Sequence, residues 1–209
     1  MPRPFLDQEV IALNIRNSLK LLGIYLCTAF MLGSAQLHAD YEAGVSAAFA
    51  GDFDTAFREF SVAAEAGLDL AQYNLGILYY TGQGVEQDFV AAFKWTLAAA
   101  EQGHLAAQFN LASLYYDGQG IERDRDGAVA WFSRAAMAGH PDAALALAKL
   151  YEEGEHVQQD PVLAHAWASM ADANSHVDGA ALRTTLERGM SSAQISAARR
   201  QFAQWQLER

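Results

Sequence analysis

Three histidines, His104, His140 and His176, stand at a constant interval of 36 residues, a regularity that invites a metal-site reading. Zinc holds its ligands at about 2 Å. Equivalent positions on stacked helix pairs lie about two packing distances of ~8–10 Å apart. One ion therefore does not gather all three, and they read as polar residues at a recurring turn. His156 and His165 have no i, i+4 relation to each other and read as surface. The sole cysteine, Cys27, lies in an apolar run near the start of the chain. The rest of the chain has no thiol for nucleophilic catalysis or metal binding.

Other constellations dissolve in the same way. The Gly-x-Gly loops at 82–84 and 118–120 follow helical rather than strand-like segments, and no Lys-Ser or Lys-Thr comes after them. They are turns rather than phosphate cradles. No serine occupies a Gly-x-Ser-x-Gly elbow, and the pair Glu152-Glu153 reads as a solvated face. The formal charge of −11 argues against nucleic acid, which needs a basic face, and against polybasic attachment to anionic lipid. No enzymatic activity, metal or cofactor is expected.

The elements that would position any site are helices. Alanine is abundant and prolines number only four, a composition that folds and favours helix over strand. Residues 71–106, 107–142 and 143–178 align without a gap. Ala71, Leu75, Leu78 and Tyr79 recur as Ala107, Leu111, Leu114 and Tyr115, then as Ala143, Leu147, Leu150 and Tyr151. Gly82, Asp88, Ala92 and Trp95 recur likewise, the tryptophan as Trp131 and Trp167. Spacings of three and four predict a first helix that stops at Gly82. Asp88 is placed to cap a second helix, whose inward stripe reads as Ala92, Trp95 and Ala99. Val85, between them, is expected to fold over the core. A unit this short does not bury its apolar face alone, so the repeats must stack.

The ends are atypical. Residues 40–70 read as a shorter hairpin, with Ala43, Ala47 and Phe49 on a helix broken at Gly51-Asp52, then Ala56, Phe57, Phe60, Ala63 and Ala64 on a second. Residues 179–209 read as capping helices, the last beginning at Ser191 or Ser192. Residues 1–39 differ in kind. Arg16 and Lys20 precede thirteen largely apolar residues, Leu21 to Gly33, followed by Gly33, Ser34, Ala35 and then Leu37-His38-Ala39. That is the layout of a secretory signal peptide, too short for a membrane span of ~20 residues. Cleavage is expected after Ala39, with Ala35 the second choice and an uncleaved anchor the alternative. Membrane contact is expected only through that anchor.

The segment Ala71-Gln72-Tyr73-Asn74-Leu75-Gly76, the Tyr-Tyr-x-Gly-x-Gly-Val loop and the Asp-x-x-x-Ala-x-x-Trp helix resemble the Sel-one-like repeat. That family is a branch of the tetratricopeptide-repeat superfamily. The resemblance covers 71–178 strongly and 40–70 more loosely. It implies an all-α, right-handed α-solenoid and a scaffolding role: a non-enzymatic protein-interaction scaffold or regulator in the bacterial envelope, periplasmic or secreted, binding another protein or peptide. A cell-wall glycan or peptide binding module, with Tyr80 and Tyr116 stacking on sugars, and an unrecognised envelope enzyme are the alternatives. The first helix of each repeat carries a second stripe: Tyr73, Asn74, Ile77 and Tyr80 in one copy, Phe109, Asn110, Ser113 and Tyr116 in the next. In tetratricopeptide relatives the matching face lines a concave groove, where an asparagine grips a peptide backbone. The third copy breaks the pattern with Ala146, Lys149 and Glu152. The competing reading is that Tyr73 and Phe109 pack between repeats and the asparagines are solvated.

Overall fold

The aspartates placed to start helices do so. In the computed structural model, which describes residues 36–154 and 156–208, the Asp88 carboxylate accepts from the N–H groups of Val90 and Ala91. Asp160 accepts from Val162 and Leu163, Asp124 from Gly127, and Asp52 from Thr55. Each bond satisfies a backbone donor that the first helical turn leaves open. Gly82, Gly118 and Gly154 close the first helix of their repeats at φ of 70°, 73° and 71°, backbone that a side chain disfavours.

Ten helices follow among the described residues. The first, α1, covers 36–49. Then come α2 (Phe53–Glu65), α3 (Asp69–Thr81), α4 (Phe89–Glu101), α5 (Leu105–Asp117), α6 (Arg125–Met137), α7 (Pro141–Glu153), α8 (Pro161–Ala173), α9 (Gly179–Glu187) and α10 (Ser192–Glu208). From α2 to α9 each helix packs on its neighbours in sequence, and α10 turns back onto α8. The protein is an α-solenoid. Leu75, Leu111 and Leu147 are fully buried at the centre of successive repeats, and fully buried alanines such as Ala71, Ala107 and Ala143 let the helices approach closely. Val85 packs over the N-terminal core as expected. No described helix is long and apolar enough to cross a membrane. The Leu21–Gly33 run lies outside the described residues, whereas the Ala39–Asp40 bond lies within α1.

A buried amide seals the seams in front of α3 and α5. Gln72 Nε2 donates to the Ala64 carbonyl (3.2 Å) and Gln108 Nε2 to that of Ala100 (3.4 Å), a second bond to carbonyls that already accept from the N–H groups of Gly67 and Gly103. The third repeat has Ala144 at this place, and the equivalent carbonyl of Ala136 instead accepts from Asn174 Nδ2 (3.0 Å). Donor and acceptor survive although the residue that supplies the donor has changed.

Several expectations need correction. Trp95 and Trp131 are only partly buried, and the residues after them, Thr96 and Phe132, take the inward position. Trp95 packs on residues of α2 and α3, and Trp131 on Ala99, Ala100, Ala107 and Leu111. Both indoles thus lie against the second helix of the repeat behind, Trp95 on α2 and Trp131 on α4, rather than at the centre of their own repeat. Phe49 does not face the core but is 90% exposed. The buried side of α1 carries Gly44, where a Cβ would run into the Phe60 ring. His165 is not surface but fully buried on α8, because α9 and α10 cover that helix. Its Nε2 lies 2.9 Å from Glu187 Oε1. The Glu187 carboxyl is held below its usual range by the hydrogen bond from His165, with Arg199 assisting.

Candidate partner-binding groove

Three adjoining pockets run along the first helices of the repeats. The first, of about 280 Å³, lies between α1 and α3 and is lined by Val45, Ala48, Phe49, Asn74 and Ile77 among others. The second, of about 190 Å³, lies between α3 and α5, with Ile77, Tyr80, Asn110, Ser113, Asp117 and Gln119 on its walls. The third, of about 250 Å³, lies between α5 and α7 and takes in Ser113, Tyr116, Asp117, Phe132, Lys149 and Glu153. Ile77 is common to the first two, and Ser113 and Asp117 to the last two. The pockets therefore share walls and form one groove.

Asn74, Ile77, Tyr80, Asn110, Ser113 and Tyr116 thus line the groove, whereas Tyr73 and Phe109 do not. Their rings stack on His104 and His140, with centroids 4.4 and 4.5 Å apart. The inter-repeat reading holds for these two aromatics. The asparagines are neither free nor identical: Asn74 Nδ2 donates to the Leu70 carbonyl (3.0 Å) and reaches the Tyr41 hydroxyl (3.4 Å), whereas Asn110 faces the second pocket. Tyr80 donates to Gln119 Oε1 at 3.1 Å. The Arg125 guanidinium sits 3.6 Å from the centroid of the Tyr116 ring, so one face of that ring is already covered and not open to a sugar.

The evenly spaced histidines have a structural task. His104 Nδ1 accepts from the Ala107 N–H (3.2 Å) and His140 Nδ1 from that of Ala143 (3.4 Å), capping α5 and α7. An accepting nitrogen carries no proton. Burial lowers both pKa values, against the smaller opposing pull of Asp69 on His104 and Asp142 on His140. Asp142 also lies 3.2 Å from His176 Nε2. Among the described residues no group of three or more His, Cys, Asp or Glu is arranged to hold a metal ion.

Paired 13-residue helices closed by left-handed glycines recur at the interval of a known repeat, and the family model of the Sel1 repeat matches residues 69–104, 105–140 and 141–171. The chain is a Sel1-like repeat protein. Among the solved structures that resemble this Sel1-like protein are two at 32% identity. One is c5321, a protective antigen present in uropathogenic Escherichia coli strains displaying an SLR fold. It is 32% identical with a TM-score of 0.65, over 72% of this chain and 32% of that one. The other is a Sel1 repeat protein from Oxalobacter formigenes, 32% identical with a TM-score of 0.60, over 64% of this chain and 55% of that one. The matched region is thus about a third and about half of the lengths of these relatives. No curated protein matches the chain. Sel1-repeat proteins generally mediate protein–protein interaction, on a fold that is generally a non-enzymatic scaffold.

Sequence reasoning missed Asp117, Gln119 and Thr96 on the walls of the Sel1 groove. One signal pointed to Asp117: it ends a helix whose last turn carries no basic residue, where the macrodipole disfavours a carboxylate.

Proposed function

We propose that this protein is a non-enzymatic scaffold or regulator of the bacterial envelope that holds a partner protein or peptide in the groove along α1, α3, α5 and α7. The observation that supports the reading is the continuity of the three pockets, which share Ile77, Ser113 and Asp117. A binding surface needs concave apolar walls with a few placed polar groups. The groove offers Phe49, Ile77 and Leu114 as walls and the amides of Asn74, Asn110 and Gln119 as polar groups. An amide both donates and accepts, which suits a peptide backbone. The envelope location rests on the apolar run Leu21–Gly33 and its small-residue exit.

The test is capture of partners from envelope extract on immobilised protein, read by mass spectrometry. Replacing Asn74 and Asn110 together by alanine should weaken capture while leaving helical content and thermal midpoint nearly unchanged. Capture that survives the double variant, or that is lost only along with the fold, rules the groove out.

A further inference from the structure

The second and third pockets are the same site one repeat apart. Tyr80, Thr96, Asn110, Ser113, Leu114 and Asp117 of the second correspond to Tyr116, Phe132, Ala146, Lys149, Leu150 and Glu153 of the third. The acid is kept at the last position of the first helix, but its surroundings are not. In the third pocket a lysine stands one turn before Glu153, and Phe132 occupies the place of Thr96. In the second, Ser113 stands where the lysine would be, and Asp117 is the only charged residue on the wall.

Among the described residues no ion pair offsets that charge. The guanidinium of Arg123 donates to the Asp117 backbone carbonyl (3.3 Å) rather than to its carboxylate. The pocket also lies at the C-terminal ends of α3 and α5, whose last turns carry no basic residue, and helix C-termini attract cations. From residue 40 to 178 the only basic side chains are Arg58, Lys94, Arg123, Arg125, Arg134 and Lys149, among many acids. The wider field therefore has the same sign.

The shape suits one long cationic side chain. The pocket measures about 190 Å³, with Gly76, Ile77 and Leu114 as apolar surface and Asp117, Asn110 and Gln119 as acceptors. Lysine and arginine lay their methylene stems on apolar surface and keep the charged head among polar groups. We propose that this pocket takes a Lys or Arg side chain of an extended partner peptide, an assignment that rests on the groove reading and names its ligand chemistry. The first pocket, walled by Val45, Ala48 and Phe49, then receives an apolar side chain of the same peptide. In the third pocket Lys149 already supplies a cation beside Glu153, so that site makes no such demand.

Four pools of short fluorescent peptides, degenerate except for a fixed central Arg, Lys, Glu or Leu, test this by fluorescence polarisation. The wild-type protein should bind the Arg and Lys pools about tenfold or more tightly than the Glu pool, the size expected of a hydrogen bond to a charged group. The preference should shrink with added salt. It should vanish in Asp117→Asn, and also in Ser113→Lys, which builds the third pocket's cation into the second. Both positions lie at least partly exposed, and circular dichroism verifies that the variants stay folded. Equal binding of all pools, a preference that survives Asp117→Asn, or no binding of any pool overturns the assignment. The groove reading is judged separately, by partner capture with the Asn74 and Asn110 variant.

Discussion

The indole of Trp167 stacks on that of Trp205, with ring centroids 4.0 Å apart and planes 28° from parallel. The last repeat thus finds in α10 the cover that earlier repeats find in their successors. Trp167 is 5% exposed, whereas Trp131 is only partly buried. Trp167→Ala should therefore be the costliest tryptophan change, at about 3–5 kcal/mol. Trp131→Ala should cost about 2 kcal/mol, less than a fully inward position would imply. In a double-mutant cycle Trp167 and Trp205 should couple by about 0.5–1.5 kcal/mol. Urea unfolding provides all three values, and a costlier Trp131→Ala would restore the inward stripe.

Gly120 and Gly103 both have positive φ, of 74° and 92°, but only one is crowded. A Cβ at Gly120 would overlap the carbonyl of Phe89 at the start of α4, whereas one at Gly103 meets nothing within 4 Å. Gly103→Ala should cost about 1–2 kcal/mol, the penalty of left-handed backbone alone. Gly120→Ala adds overpacking of about 1–3 kcal/mol. Equal thermal shifts in the two variants would mean that the loop yields without cost.

Acid should loosen the stack through its histidine caps. The folded pKa values of His104 and His140 lie below the ordinary 6.5. The folded state therefore binds fewer protons than the unfolded one, and stability is fully present above 6.5 and falls as pH drops through the folded values. Glu187, also lowered, adds a second loss below its ordinary 4.5. Asparagine caps a helix without titrating, so the variant with both histidines changed to Asn should show a flatter urea midpoint between pH 7.5 and 5.5. An unchanged slope would assign the acid sensitivity elsewhere.

Export predicts a processed N-terminus. Leu37 packs against the N-terminal core, so cleavage after Ala35 keeps this contact and cleavage after Ala39 removes it. Intact mass of the native protein distinguishes the two, and a product retaining residues 1–35 speaks for the uncleaved anchor.

The repeat interval, the capping aspartates, the glycine stops and the helical class were legible in the residues alone, because each depends on local backbone chemistry repeated at a fixed spacing. The groove stripe was legible in part, since spacing places Asn74, Ile77 and Tyr80 on one helical face whatever that face meets. What that face meets was decided between helices. Tyr73 and Phe109 share the stripe, yet they stack on the histidines that cap the next repeat's first helix. Asp117 reads as an ordinary surface acid until α3 and α5 close a pocket beside it. His165 reads as another polar residue on a helix until α9 and α10 cover it and bring Glu187 to its ring. Helical periodicity specifies direction around one axis, whereas burial and partnership depend on which second axis lies there, and only the stacking of the repeats supplies it.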